Sequence, residues 1–474
     1  MKTPVWVAAA LAAYSLWASA QDGWPSPVYK ALRAANVPTN AAAALVQEVD
    51  SRRYSLSVNH RVAMNPASVM KLVTAFAGLE LLGPAYRWKT EVYLDGALRE
   101  GVLEGHLVLK GYGDPKLNQE AFWMLLRALR GKGLREIRGD LVLDRSHFEQ
   151  PAGDPGRFDG DAFRPYNVLP DALLVNFKSL RFAFLAEPER AAVRLSVDPR
   201  PPGIAVVNQL RLSEGPCPEG RAFRDLLKPT FDPVKKQAIF SGQYPLTCGE
   251  RDMNVALLNP NDHISGVLHQ LWTEMGGSWS GVARDGVAGP GARLLHTHES
   301  PAVAEVVRDM NKFSNNVIAR QLFLTIAAET AGPPARAEGA RRAIQQWLEA
   351  KGIPAPELVV DNGSGLSRSE RISAASLASL LQAAWRSNVM PEFIASMPVA
   401  AVDGTMRRRL KNEGVAGNAH VKTGLLSDAR TMAGYVRDRS GRRHVVVMMV
   451  NHANAHQAQS ALDSLLRWVY DPDQ

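Results

Sequence analysis

The chain has 474 residues, 46% of them hydrophobic and 22% charged, with a formal net charge of +8 and two cysteines. The balance of apolar and charged residues is that of an ordinary globular protein, and the length suggests about three domains. The positive charge suits a polyanionic setting such as cell-wall polymer or an anionic membrane surface. The arginines are scattered, with only Arg407-Arg408-Arg409 clustered, which argues against a nucleic-acid partner.

The N-terminus reads as a secretory signal peptide. Lys2 supplies the positive charge, residues 4–17 are mostly apolar, and Ala18-Ser19-Ala20 is a small-x-small cleavage site before Gln21. An uncleaved anchor is the alternative, for which the apolar stretch is short. No later apolar run approaches spanning length. The expectation is an exported, periplasmic protein whose membrane contact is at most peripheral.

Residues 43–49 and 54–58 read as two strands joined by the polar turn Asp50-Ser51-Arg52-Arg53. Asn65 is a good N-cap and Pro66 a good first helical residue. The helix they open should run to Leu82 and stop at Gly83-Pro84. From about 89 to 262 short β-type runs alternate with Gly- and Pro-rich turns, which suggests a β-rich region, residues 91–261, holding two nested modules. Cys217 and Cys248 fall inside it. In an exported protein they are expected to form one disulfide closing a local loop, with two separate buried thiols as the alternative.

Helical periodicity returns at 263–277, 301–330 and 335–352, and again at 373–387 after the turn Asp361-Asn362-Gly363-Ser364-Gly365. Residues 418–424, 430–437 and 443–450 read as strands, the last two as a hairpin around Ser440-Gly441. A helix over 454–469 follows. The early strands, the late strands and the flanking helices make an α+β fold, an antiparallel sheet covered by helices, carried by residues 21–90 and 262–474 and split by the insert.

Three triplets carry the chemistry: Ser68-Val69-Met70-Lys71, Ser314-Asn315-Asn316 and Lys422-Thr423-Gly424. At a helix start, unpaired N–H groups favour negative charge developing on Ser68. Lys71, three residues on, rises from the same face and can reach the hydroxyl. As a base it must be neutral, and burial or a second cation such as Lys422 would lower its pKa. Ser68 would then attack a carbonyl while Lys71 takes its proton. Ser314 can relay a proton to a leaving amine, and Asn316 can hold Lys71 or the substrate amide. Lys422 and Thr423 offer charge and a hydroxyl to a substrate carboxylate, and Gly424 leaves room for a ligand backbone. The N–H groups of Ser68 and Leu425 are natural oxyanion donors. Ser57-Val58-Asn59 repeats the Ser-x-Asn pattern, but on a strand upstream of Ser68, and is read as incidental.

In this order the triplets resemble those of the penicillin-recognising serine enzymes, and in particular of the class C low-molecular-mass penicillin-binding proteins, the D-alanyl-D-alanine carboxypeptidase/endopeptidases. The likeness includes the long insert between the first two triplets, the segment Asp361–Arg368, the turn Gly111-Tyr112-Gly113-Asp114-Pro115, and Tyr166 with the run Ala172–Asn176. It implies a transpeptidase-like domain carrying two nested β-rich domains. It also implies Ser68 as acylated nucleophile, Lys71 as base, peptidoglycan peptides as substrates and β-lactams as covalent inhibitors. Asp161, Arg368 and Ser427 match, by local motif, a pocket for the diaminopimelyl side chain. One position departs: a hydroxyl residue often follows the Lys-Thr-Gly glycine, and here Leu425 does. Carboxylate binding loses a donor, which implies weaker carboxypeptidase relative to endopeptidase activity.

Other candidates carry less. His296/His298 and His452/His456 have metal-like spacing but no evident third ligand. Gly363-Ser364-Gly365 is not a nucleophile elbow, and no phosphate loop or dinucleotide fingerprint is present, so no cofactor is expected. A serine β-lactamase and a wall-binding protein with a dead site are the alternative readings. No deacylating glutamate is recognisable for the first, and the intact triplets argue against the second.

Overall fold

The computed structural model describes residues 23–150 and 153–473. The expected signal segment, residues 1–20, lies outside them. Helix α1 (Ser26–Ala34) leads to β1 (Ala42–Glu48) and β2 (Tyr54–Val58). Residues Ala42–Val46 of β1 are buried on both faces, as a central strand requires, whereas β2 buries one residue in five, as befits an edge. The helix expected from Pro66 starts later. A 3₁₀ turn, Ala67–Met70, precedes α2 (Lys71–Leu81), because Ala67 takes a left-handed conformation, φ 47°.

The chain then leaves for a second body: β3 (Arg87–Arg99), β4 (Val102–Gly111), α3 (Gln119–Gly131), β5 (Glu136–Ile137) and β6 (Leu141–Asp144). A third body is nested within it: β7 (Leu180–Glu187), β8 (Ala192–Asp198), β9 (Ala205–Asn208), β10 (Arg211–Ser213), α4 (Gly220–Leu227), β11 (Pro229–Asp232), β12 (Gln237–Phe240), β13 (Gln243–Pro245) and β14 (Glu250–Val255). Three small sheets surround its aromatic core of Phe182, Phe184, Phe240 and Tyr244. Here Cys217 and Cys248 form a disulfide, with an S–S distance of 2.07 Å.

The return path runs through the second body again, along α5 (Pro260–Glu274), β15 (Ser278–Trp279), β16 (Ala283–Asp285) and β17 (Arg293–Ala302). These strands complete a sheet ordered β15-β5-β4-β3-β17, with β6 paired to β4 and β16. Leu268 and Trp272 of α5 share one core with Leu125 and Leu129 of α3 and with Leu107 and Leu109 of β4. Packing therefore keeps residues 260–302 with the insert, where the sequence placed everything after 261 in the first body. Helices α3 and α4 also stand where only β-rich material was read. In α3 the spacing of Phe122, Leu125, Leu126 and Leu129 is the helical signal.

After β17 come α6 (Val303–Lys312), α7 (Asn316–Ala331), α8 (Ala337–Ala350), α9 (Ala374–Trp385) and α10 (Met390–Ala395). Strands β18 (Ala419–Leu425), β19 (Ala429–Arg437) and β20 (Arg443–Asn451) then rejoin the first sheet, and α11 (Gln459–Tyr470) follows. The sheet order is β18-β19-β20-β1-β2, antiparallel throughout. Alternate residues feed two cores. Leu45, Val445, Val447 and Met449 pack with α2, α6, α7, α8 and α9, while Val46, Val446, Met448 and Val450 pack with α1 and α11. The strand bearing Lys422-Thr423-Gly424 is thus the last strand of this sheet, and the backbone of residues 398–400 bonds its outer side at Ala419 and Val421. Among the described residues no helix is long and apolar enough to cross a membrane.

Candidate active site

Ser68 sits half-buried in the 3₁₀ turn ahead of α2. Three contacts fix this turn. The Asn65 side chain accepts from the Ala67 N–H at 2.9 Å and donates to the Ser367 carbonyl at 2.9 Å. Thr431 Oγ1, on β19, donates to the Pro66 carbonyl at 2.6 Å. Gly365, at φ +82°, lies flat against the turn, where a Cβ would fall 1.9 Å from the Ala67 carbonyl oxygen. The nucleophile's backbone is therefore held between the 361–365 turn and the sheet.

Lys71 is fully buried. Its Nζ stands 3.0 Å from Ser68 Oγ and 2.6 Å from Asn316 Oδ1, and it also bonds the Ser364 carbonyl. The last two partners only accept. A neutral amine would have two N–H groups for them and one lone pair left for the Ser68 hydroxyl. Burial, then the charge of Lys422, pulls the Lys71 pKa well below the usual lysine value, while Glu370 opposes the shift.

Sequence reasoning missed Glu370. It is fully buried beneath the site. Its Oε1 accepts from the N–H groups of Asp361, Asn362 and Gly363, each at 3.2 Å. It thereby shapes the turn that presents the Ser364 carbonyl to Lys71. Its Oε2 is buried without a hydrogen-bond partner, and burial pushes its pKa up to about 7. A glutamate in a Ser- and Arg-rich loop carries no sequence mark of burial, so only the packing reveals it.

The stretch read as one helix over 301–330 breaks between α6 and α7, and the break is the second triplet. Ser314 adopts φ 56°, and Asn315 caps α7 by accepting from the Ile318 N–H at 3.0 Å. The kink turns Ser314 toward β18, where Lys422 Nζ donates to its Oγ at 2.9 Å and to the Thr423 carbonyl at 2.7 Å. Lys422 is fully buried, and burial lowers its pKa to about 7. Gly424 is required by close approach. A Cβ there would lie 2.1 Å from Thr431 Oγ1 and 2.9 Å from the Ser68 nitrogen. Gly424 thus brings β18 against the backbone nitrogen of Ser68.

A cavity of about 1390 Å³ opens over Ser68 and is shared by Ser314, Asn316, Thr423, Leu425 and Ser427. Leu425 points outward, 57% exposed. Arg368 donates to Ser427 Oγ at 3.1 Å and Asp428 Oδ1 at 2.7 Å, and its guanidinium lies 4.6 Å from the centre of the Phe158 ring. Asp161 does not join them. It is occupied by Arg164 at 2.9 Å and Arg224 at 2.8 Å, while Asp159 stands in the cavity wall, of which neither Asp161 nor Arg368 is a lining residue. Hydrogen bonds from Tyr166, at 2.7 Å, and Asn167, at 2.8 Å, hold Asp159 ionised, with its pKa lowered despite burial.

The remaining candidates lie elsewhere. Asn59 of the second Ser-x-Asn donates to the carbonyls of Thr39 and Ala42 at the far edge of the sheet. His296 and His298 are on β17. His456 lines the cavity, but among the described residues no group of three His, Cys, Asp or Glu is placed to hold a metal.

Comparison with known proteins agrees with this architecture. The profile of the D-Ala-D-Ala carboxypeptidase 3 (S13) family matches residues 27–469. The D-alanyl-D-alanine carboxypeptidase DacB of Haemophilus influenzae is 24% identical over 415 residues, covering 86% of this chain and 84% of that protein. A D-alanyl-D-alanine carboxypeptidase of an Actinomadura species is 28% identical over 419 residues, covering 85% and 76%. The crystal structure of penicillin binding protein 4 (dacB) from Haemophilus influenzae superimposes with a TM-score of 0.77 at 23% identity, over 94% of this chain and 98% of that one.

Proposed function

The chain belongs to the D-Ala-D-Ala carboxypeptidase 3 (S13) family, and from that premise we propose that this serine-type D-Ala-D-Ala carboxypeptidase works through an acyl-Ser68 intermediate on peptidoglycan stem peptides. The single observation that carries the reading is the neutral-lysine geometry. Lys71 is buried, has two acceptor-only partners, and holds its Nζ 3.0 Å from Ser68 Oγ, where a neutral amine would turn its lone pair to the hydroxyl.

Lys71 takes the Ser68 proton as Oγ bonds to the carbonyl carbon of the penultimate D-alanine. The N–H groups of Ser68 and Leu425 hold the oxyanion. Collapse breaks the peptide bond as the proton held by Lys71 passes through Ser314, which the Lys422 ammonium touches at 2.9 Å, to the departing amine, leaving Lys71 neutral again. Water then attacks the ester as Lys71 takes its proton, and that proton returns to Ser68 Oγ when the ester bond breaks. Lys422 and Thr423 meet the substrate carboxylate, and the outer edge of β18 beyond Val421 is offered to the peptide backbone. Arg368, Ser427 and Asp159 form the pocket for a zwitterionic diaminopimelyl side chain. Asp159 takes the acidic role that the family resemblance implies for Asp161, whose charge two arginines already neutralise.

By the same chemistry the enzyme opens D-alanyl-diaminopimelate crosslinks and is acylated by β-lactams, and as a wall enzyme it is exported. Digestion of a pentapeptide stem and a crosslinked muropeptide with wild type and Ser68→Ala tests the reading. The wild type should release D-alanine and the crosslink products, and the variant neither. Inactivity of the wild type, or equal activity of both, contradicts it.

A further inference from the structure

The departure at Leu425 leaves a substrate carboxylate without one hydroxyl, and the fold puts a different group beside the vacancy. In the β18–β19 ladder Leu425 is paired with Arg430, and Thr423 with Met432. Paired residues share a face, and a long side chain also reaches the diagonal neighbour. Arg430 therefore stands on the Thr423–Leu425 side of the ladder, opposite the face from which Thr431 grips the Ser68 turn. Arg430 lines the same cavity as Ser68, Thr423 and Leu425.

The charge state of this corner is unbalanced. Arg409, also in the cavity wall, is neutralised by Asp463 at 2.6 Å. Arg430 makes no ion pair among the described residues; it donates to the amide oxygen of Gln459. Thr423 Oγ1 is tied to Thr405 Oγ1 at 2.9 Å, so a second hydroxyl stands behind the first. Burial, then Arg409, pulls the Arg430 pKa below the usual guanidinium value. Asp463 opposes that shift but is bound to Arg409, so a partly buried cation open to a cavity, with no ion pair of its own among the described residues, is a site that an anion completes.

Resting on the DD-peptidase reading, we propose that Arg430 is the specificity-determining residue for the C-terminal carboxylate of the substrate, replacing across the strand the hydroxyl that Leu425 lacks. A guanidinium binds a carboxylate with two parallel N–H donors, which one hydroxyl cannot. The departure at Leu425 then relocates the carboxylate contact and does not weaken carboxypeptidase action.

The test compares an acylated peptide ending in D-alanyl-D-alanine with its C-terminal amide, on wild type, Arg430→Ala and Arg430→Gln. Arg430→Gln keeps a polar contact to Gln459 and guards against a folding artefact. For the acid, KM should rise about 10- to 100-fold in both variants, the range expected for losing a charge-assisted pair. For the amide it should not change. Leu425→Thr should recover part of the loss in the Arg430→Ala background. Equal effects on acid and amide, or none on either, overturn the inference while leaving the peptidase reading standing. Wild-type inertness toward the acid overturns both.

Discussion

Gly365→Ala is the most demanding perturbation of the account, because one methyl group tests how tightly the nucleophile's turn is held. The added Cβ would lie 1.9 Å from the Ala67 carbonyl oxygen, 2.3 Å from its carbon and 2.7 Å from Ser68 Cα, all backbone atoms. An ordinary carbon–oxygen contact is about 3.3 Å, so the Ala67–Ser68 turn must retreat by about 1.4 Å to relieve the 1.9 Å approach. Alanine at φ +82° adds about 1–2 kcal/mol of left-handed strain, and overpacking about 1–3 kcal/mol, giving a loss of about 2–5 kcal/mol in urea unfolding. A shift of that size between Ser68 and Lys71 should slow acylation by a chromogenic β-lactam on the order of 100-fold. Gly352→Ala is the control, with φ +64° but nothing within 4 Å of the new methyl. It should cost only the strain, about 1–2 kcal/mol, and leave acylation unchanged. Unaltered stability and acylation in Gly365→Ala would refute the claim that this turn positions the nucleophile.

Three further outcomes are expected. Glu370→Gln removes a carboxylate that raises the Lys71 pKa, so the acid limb of the acylation profile should move to lower pH; an unmoved limb, or one shifted upward, counts against the coupling. Lys422 must stay protonated to meet a carboxylate, so kcat/KM should fall as pH rises through about 7, whereas the basic limb of kcat, with the carboxylate bound, should lie higher; steady growth of kcat/KM into alkaline solution argues against that role. Replacing both Cys217 and Cys248 by serine opens a loop with a sequence separation of 31 and should destabilise the nested body by about 3–4 kcal/mol in calorimetry, with β-lactam acylation unchanged.

What could be read in the sequence, and what could not, divides along the range of the interactions. Ser68 and Lys71 are legible because helical spacing alone brings them together, and the strands with Lys422-Thr423-Gly424 and around Ser440-Gly441 announce themselves by apolar runs and turn residues. Ser314 is only half legible. Its triplet can be found, but the break in the helix that turns it toward Lys422 depends on a left-handed residue inside a periodic pattern. Arg430 is invisible without strand register, since a one-residue slip would move it to the other face. The burial of Glu370 is set by a turn folding back over it. The limit of the insert is not legible at α5, whose apolar face suits either body until it is seen to share a core with α3 and β4. Asp161 and Asp159 sit two residues apart in one loop, and pattern alone cannot say which faces the cavity and which is bound by Arg164 and Arg224.

The central claim is that one buried amine activates one hydroxyl, and mass spectrometry of the protein after exposure to benzylpenicillin addresses it most directly. The account predicts a single penicilloyl group on the peptide that contains Ser68, lost in Ser68→Ala and formed far more slowly in Lys71→Met. Modification of any other residue, or of Ser68 at an undiminished rate without Lys71, would contradict it.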